Sequence, residues 1–138
     1  MFSITTVGLE GLQRALKDLE NIPDNVQKDM LDAQADIVVD AQVYTAGTML
    51  RGPYYAGGVA RAVTKSKPRQ RKSGPYIDIT FKGLQHGTRL AEIAFINEYG
   101  KKSQPARPFI KKANEMSAKA SEDAAMQVYD KWLSSKGL

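Results

Sequence analysis

Cysteine is missing from this 138-residue sequence, and it contains one histidine and one tryptophan. Without cysteine the chain has no disulfides, thiolate metal ligands or cysteine nucleophile. The single histidine, His86, lies in a glycine-flanked loop, where a solvated side chain is the expected state. No zinc-ligand spacing, phosphate-binding glycine loop or Gly-x-Ser-x-Gly elbow occurs. We therefore predict a protein that is not an enzyme and that uses no metal or cofactor.

Long apolar runs are also missing. No segment approaches the roughly 20 residues that cross a bilayer, and the first residues lack the pattern of a secretory signal. We expect no membrane association and a protein that stays in the cytoplasm where it is made. The length and the hydrophobic content of 42% predict one domain over residues 1–138 with its own core.

The positive charge of the chain is concentrated in one segment. Of 20 basic residues, six lie together with no acidic residue between them, which leaves 14 to balance 15 acidic residues elsewhere. The six are Arg61, Lys65, Lys67, Arg69, Arg71 and Lys72. The simplest interpretation is a flexible, solvated basic loop at about residues 48–73. Two alternatives stay open: the loop orders against an acidic partner surface, or it makes the chain a nucleic-acid-binding module.

Hydrophobic spacing predicts helices in the first third of the chain. Leucines at positions 9, 12, 16 and 19 fall on one helical face after a short strand near Phe2–Thr6. Pro23 then opens a long helix that runs to about Tyr44, with Gly47 as its stop. Its predicted buried face is Val26, Met30, Ala33, Ile37, Ala41 and Tyr44.

The rest of the chain predicts a small sheet and a last helix. Ile77, Ile79 and Phe81 alternate with polar residues as in a half-buried strand, and residues 91–95 show a similar alternation, so we expect an antiparallel hairpin. Pro108 then starts a helix with one apolar face, made of Phe109, Ala113, Met116, Ala120, Ala124 and Val128. The predicted class is α+β, with N-terminal helices including one long helix, a small antiparallel β-sheet, and a C-terminal helix packed against it.

The sequence offers one enzymatic alternative, a metal-dependent nuclease. A metal-dependent nuclease places carboxylates on adjacent strands beside a lysine, and Asp78 and Glu92 fall on the two predicted strands. However, Ala94 occupies the position where such a site needs a lysine. The simpler interpretation is that both carboxylates lie on the wet face of the sheet.

A short stretch near the C-terminal third has a more specific pattern. It runs from Ala94 to Lys101, with the sequence AFINEYGK, and continues from Gln104 to Ile110 with QPARPFI. This resembles the signature of the gene-product-ten-like family of tailed-phage head–tail joining, or tail-completion, proteins. Upstream, the stretches Leu50–Tyr54 and Gly58–Val63 are similar to the family's glycine-containing segment between the long helix and the sheet. The chain differs from the family pattern in its basic middle segment and in its short, lysine-rich turn after Gly100.

The resemblance implies a virion structural protein of the neck or tail, made in the bacterial host cytoplasm. It implies assembly as a ring, hexameric in the virion and monomeric when free, with tail-tube or terminator proteins and head connector (adaptor or stopper) proteins as partners. DNA contact through the channel is compatible with this role. Related roles, as a tail terminator or minor capsid component, stay open. The candidate contact residues are Glu98, Tyr99, Arg107, Pro108 and Phe109, with Glu98 expected at a strand end within reach of Arg107.

Overall fold

The computed structural model describes residues 5–9, 12, 21–50 and 57–137. Within these ranges the fold is α+β, as predicted. The helices are α1 (Asp24–Met49), α2 (Gly58–Ala62), α3 (Leu90–Tyr99) and α4 (Phe109–Ser135). The strands are β1 (Thr5–Gly8), β2 (Val63–Lys65), β3 (Arg69–Arg71), β4 (Gly74–Phe81), β5 (Leu84–Gln85) and β6 (Thr88–Arg89).

Strand β4 is the centre of the main sheet. It pairs antiparallel with β1 along one edge and with β2 and β3 along the other, so that Ile79 lies opposite Thr5 and Lys65. Ile77, Ile79 and Phe81 are buried, which confirms the predicted strand. Within the described residues, the partners of β4 all precede it in the chain, and the later strands β5 and β6 pair with each other in a separate small sheet.

Helices α1 and α4 form an antiparallel pair behind the sheet. The Thr45 hydroxyl near the end of α1 donates to the carbonyl oxygen of Phe109 at the start of α4 (2.9 Å), and the Gln42 amide donates to Asn114 Oδ1 (3.1 Å). The C-terminal helix therefore packs mainly along α1, whereas we predicted that it packs against the sheet. Its contact with the sheet side includes the Phe109 ring, which meets Phe81 edge-on with 5.9 Å between ring centroids.

Two buried clusters fill the interior. The larger one lies between the sheet and the helix pair and includes Met30, Leu31, Ile77, Ile79 and Ala125. Leu9 and Leu12 of the predicted first helix are also buried there, whereas Leu16 and Leu19 lie outside the described residues. The second cluster joins the end of α1 to α2, α3 and the start of α4, through Ala46, Leu50, Val59, Phe81, Leu90, Ala94, Phe109 and Ile110.

The buried faces of the long helices are rotated from the predicted ones. In α1, Val26 and Met30 are buried as predicted, but Tyr44 is 62% exposed and the helix continues through Gly47 to Met49. Polar side chains take buried positions instead, at Gln34, Gln42 and Thr45. In α4, Ser117 and Ala125 are buried while Ala120 is exposed and Met116 is 52% exposed. The prediction failed because it placed only apolar residues on the buried faces. Polar side chains such as Gln42 and Thr45 can also be buried there, because they form hydrogen bonds to the other helix.

The second predicted strand is wrong, and so is the predicted hairpin. Residues 91–95 belong to helix α3, which buries Leu90, Ala94 and Glu98. This spacing of four is helical, but the alternation of Ala91, Ile93 and Phe95 over the same residues imitates a strand. These residues form a helix because Leu90 and Ala94 on its buried face pack into the second cluster.

The segments predicted as loops contain regular structure. Within residues 48–73, helix α2 and strands β2 and β3 are present, and residues 51–56 lie outside the described part of the chain. Within residues 82–89, β5 and β6 pair as a small hairpin. In the described ranges, no helix is both long and apolar enough to cross a membrane.

Candidate functional site

The segment with the family-like pattern folds into a corner between two helices, which we call the α3–α4 corner (residues 98–109). Glu98 lies in the last turn of α3 and is 7% exposed. Its carboxylate accepts hydrogen bonds from the main-chain N–H groups of Ile110 (2.6 Å) and Lys111 (3.1 Å). These amides belong to the first turn of α4, where they have no partner within the helix. The negative charge is also favourable at the positive end of a helix dipole.

Glu98 lies at the end of a helix, whereas we expected it at the end of a strand. It connects α3 to α4 because its carboxylate caps α4 through two main-chain amides. Its pairing with Arg107 stays a prediction. Arg107 is fixed at the corner through its own main chain, since its N–H donates to the carbonyl oxygen of Asn97 (2.6 Å).

The turn after α3 depends on Gly100. Its φ angle is 78°, and a Cβ at this position would lie 2.8 Å from the nitrogen of Ala106 and 3.0 Å from the carbonyl oxygen of Gln104. Lys101 and Gln104 exchange two main-chain hydrogen bonds, of 2.9 and 3.0 Å, across the turn. The lysine-rich turn after Gly100 that the sequence indicates is thus present, and its backbone packs too closely for a larger residue at position 100.

Pro108 and Phe109 begin the last helix, as predicted, but only one of them is at the surface. Pro108 is the exposed N-cap residue, with φ −75°. Phe109 is completely buried in the second cluster. The sequence left open whether Phe109 points to the core or across an interface, and the structure places it in the core. It is therefore an internal anchor of the corner and no longer a candidate contact residue.

The outer side of α3 carries an exposed aromatic pair that the sequence analysis did not find. Phe95 is 42% exposed and Tyr99 is 66% exposed, and their ring centroids are 4.7 Å apart. They are four residues apart, so both lie on the same face of the helix. Tyr99 was a candidate contact residue, but Phe95 was assigned to a strand. The i, i+4 spacing of two aromatic residues was the available signal.

The basic segment is tied to the rest of the chain at three of its six cations. Lys65 Nζ lies 2.7 Å from Asp36 Oδ1 and 3.3 Å from Asp32 Oδ1. The hydrogen bond with Asp36 is the main cause of a raised pKa for Lys65, which desolvation opposes and the charge of Asp32 reinforces. Arg69 lies 3.8 Å from a carboxylate oxygen of Asp78. The prediction of a basic loop that is solvated along its whole length is therefore wrong at these positions.

Arg71 is the third of these cations. Its guanidinium lies over the ring of Tyr76 with 4.6 Å to the ring centroid, a cation–π contact. Arg61, Lys67 and Lys72 are exposed. Arg69 and Arg71 are exposed too, so their contacts within the chain leave most of the segment's positive charge at the surface.

The two carboxylates of the nuclease alternative do not lie on adjacent strands. Asp78 lies on β4, where it accepts a hydrogen bond from the Thr6 hydroxyl (2.9 Å), but Glu92 lies exposed on helix α3 and not on a neighbouring strand. Across the described ranges, no three His, Cys, Asp or Glu residues are grouped so as to hold a metal ion.

His86 forms part of a tight turn between β5 and β6. Its φ is 51° and that of Gly87 is 82°, and residues with positive φ at both central positions define a type I′ hairpin turn. The unusual backbone of His86 thus has a structural cause. His86 is exposed, as expected.

Comparison with known proteins gave no match: no protein-family model, curated protein or solved structure is similar enough to this chain to be recognised.

Proposed function

We propose that this chain is a structural subunit of the neck of a tailed-phage virion, where it joins tail to head as part of a ring. The proposal rests on the resemblance of residues 94–110 to head–tail joining proteins. One structural observation carries it: the α3–α4 corner is fixed internally by Glu98 and Phe109, while Phe95 and Tyr99 stay exposed on its outer side.

An exposed aromatic pair is a costly feature for a subunit that has no partner. Each such side chain can bury roughly 150–250 Å², so covering the exposed 42% of Phe95 and 66% of Tyr99 removes on the order of 200 Å² from water. At about 25 cal/mol per Å², this contributes about 5 kcal/mol as an upper value. Tyrosine in particular is enriched among the residues that dominate binding at protein interfaces.

The chemistry around the pair indicates the kind of partner. Lys101 and Lys102 follow Tyr99 directly in the turn and are exposed, so positive charge borders the Tyr99 end of the aromatic surface. A protein surface with an apolar centre and acidic residues at its edge complements it. We assign this surface to a neighbouring subunit of the ring or to the adjoining tail-tube or head connector protein.

The role proposed here is structural and needs no catalytic group. At the corner, the carboxylate of Glu98 is occupied by two amides of α4 and the ring of Phe109 by the core. As the resemblance implies, the free subunit is monomeric and the ring is hexameric in the virion.

Inactivation of the coding gene in the phage or prophage that carries it tests the proposal. Electron microscopy of the particles should show DNA-filled heads and separate tails, with joined particles restored by the wild-type gene. Complementation by a Phe95→Ser/Tyr99→Ser variant should fail, while Met116→Ser, which alters another exposed apolar side chain, should succeed. Complete, infectious particles without the protein would refute the proposal. Tails of uncontrolled length would indicate a tail terminator instead.

A further inference from the structure

A positively charged surface surrounds the β5–β6 hairpin, outside the α3–α4 corner. Between the hairpin and α2 lies an open depression of about 320 Å³, and its lining includes Arg61, Lys82 and His86. A second depression of about 290 Å³ is lined in part by Lys82 and Arg89. Among the residues that the structure describes, no acidic residue lines either depression. We call this the hairpin surface, defined by Arg61, Lys82, His86 and Arg89.

The two depressions are neighbours that share a ridge. Lys82 and Leu84 line both of them, so the cations form a continuous group. The acidic residue nearest along the chain, Glu92, is exposed in the first turn of α3 and lines neither depression.

The cations of this surface, including Arg61 from the basic segment, differ in their partners from the three cations of that segment that have contacts within the chain. Lys65, Arg69 and Arg71 are held by Asp36, Asp78 and the ring of Tyr76 within the subunit. Over the described ranges, Arg61, Lys82 and Arg89 make no ion pair. Their charge is therefore available to a ligand.

Main-chain contacts hold the hairpin surface in position. The N–H of Lys82 donates to the carbonyl oxygen of Ala62 at the end of α2 (3.0 Å), and the N–H of Leu90 donates to that of Gly83 (2.9 Å). On the other side, Gly58 approaches the Gln85 side chain so closely that an added Cβ could not be accommodated without a shift. The hairpin is thus fixed to both α2 and α3, and less ordering is needed when a ligand binds.

We propose that the hairpin surface binds the phosphodiester backbone of double-stranded DNA. The side chains of Arg61, Lys82, His86 and Arg89 are exposed at an open surface, which suits an extended polyanion better than an enclosed small ligand. Phosphates on a duplex recur at short, regular intervals, so one strand can meet several of these cations. The inference rests on the proposed function for the source of the DNA, since a neck ring surrounds the duplex that passes between head and tail.

The expected binding is independent of sequence and sensitive to salt. Three phosphate contacts per subunit give a slope of about −2.7 in log K against log salt, a roughly 40-fold loss of affinity between about 50 and 200 mM salt. The assay is fluorescence anisotropy of a labelled DNA duplex titrated with the purified full chain at several salt concentrations.

The test variant is Arg61→Gln/Lys82→Gln/Arg89→Gln. We expect at least a tenfold loss of affinity at low salt and a salt slope close to zero. The matched control is Lys112→Gln/Lys131→Gln/Lys136→Gln, which removes the same charge from exposed positions of α4 and its C-terminal end and should keep most of the binding. Circular dichroism and thermal unfolding of both variants check that each is folded.

Several results would overturn the inference. One is no binding by the wild-type chain at low salt, and another is an equal loss in the control, which would indicate general basicity. A third is a hairpin variant that binds DNA like wild type yet fails to complement particle assembly, which would make this surface a protein contact. None of these results refutes the neck role, which the gene-inactivation experiment tests separately.

Discussion

Replacement of Glu98, the one acidic residue of the α3–α4 corner, by alanine should lower the free energy of unfolding markedly. The substitution removes two hydrogen bonds to main-chain amides, of 2.6 and 3.1 Å, and leaves the N–H of Ile110 buried without a partner. Hydrogen bonds to a charged group contribute about 1.5–3 kcal/mol each, and part of this is recovered where water reaches the N–H of Lys111. We expect a loss of about 3 kcal/mol in the free energy of unfolding.

Urea and thermal unfolding measure this loss. For a domain of this size, about 3 kcal/mol lowers the Tm by roughly 10–15 °C. Glu98→Gln should lose about half as much, because the amide keeps one acceptor oxygen. Glu115→Ala, the same exchange at an exposed position of α4, is the control and should stay within about 0.5 kcal/mol of wild type. If Glu98→Ala and Glu115→Ala unfold together, Glu98 does not hold the corner in place.

Two further predictions concern backbone freedom and charge. Gly100→Ala should lower the free energy of unfolding by about 2–4 kcal/mol, because position 100 has a positive φ and the backbone of Ala106 lies close to it. Gly47→Ala, inside α1 with open space around it, should raise the free energy of unfolding by about 0.5–1 kcal/mol. Chemical denaturation of both variants checks these opposite signs. Lys65→Met should lower the free energy of unfolding by about 0.5–1 kcal/mol at low salt, since the ion pair of Lys65 with Asp36 is partly exposed. The pKa of Lys65 is raised in the folded state, so its stabilisation is complete below the ordinary value of 10.5 and is lost as pH rises through the raised value. Unfolding curves of wild type and Lys65→Met should therefore converge at high pH; a difference that persists there contradicts the pairing.

The sequence was informative where one pattern had one interpretation. The alternation of Ile77, Ile79 and Phe81 with polar residues had no competing helical spacing, and these residues form the central strand. Pro108 fixed the start of the last helix for a local reason, since proline suits the beginning of a helix. Gly100 likewise marked a turn that only a positive φ allows.

Helix α3 could not be predicted in the same way. Its buried face ends in Glu98, and a carboxylate counts as polar in any hydrophobic pattern. The burial of Glu98 depends on the amides of Ile110 and Lys111, which become its neighbours only after the corner has formed. Without that knowledge, the alternation of apolar residues around Ile93 favoured a strand.

The partners of the basic segment were hidden for a related reason. Asp32 and Asp36 lie about 30 residues before Lys65, and they meet it because α1 packs behind the sheet. Composition reports the number of charges but not which of them are neutralised by tertiary contacts. The distinction between the engaged cations and those of the hairpin surface therefore required the structure.

A cryo-electron microscopy reconstruction of the neck of assembled particles would test the central claim most directly. The claim is that the outer side of the α3–α4 corner is a docking surface in a ring between head and tail. We predict a ring of this chain in which neighbouring protein covers Phe95 and Tyr99. A neck without this chain, or a ring in which both aromatic side chains face solvent, would contradict the account.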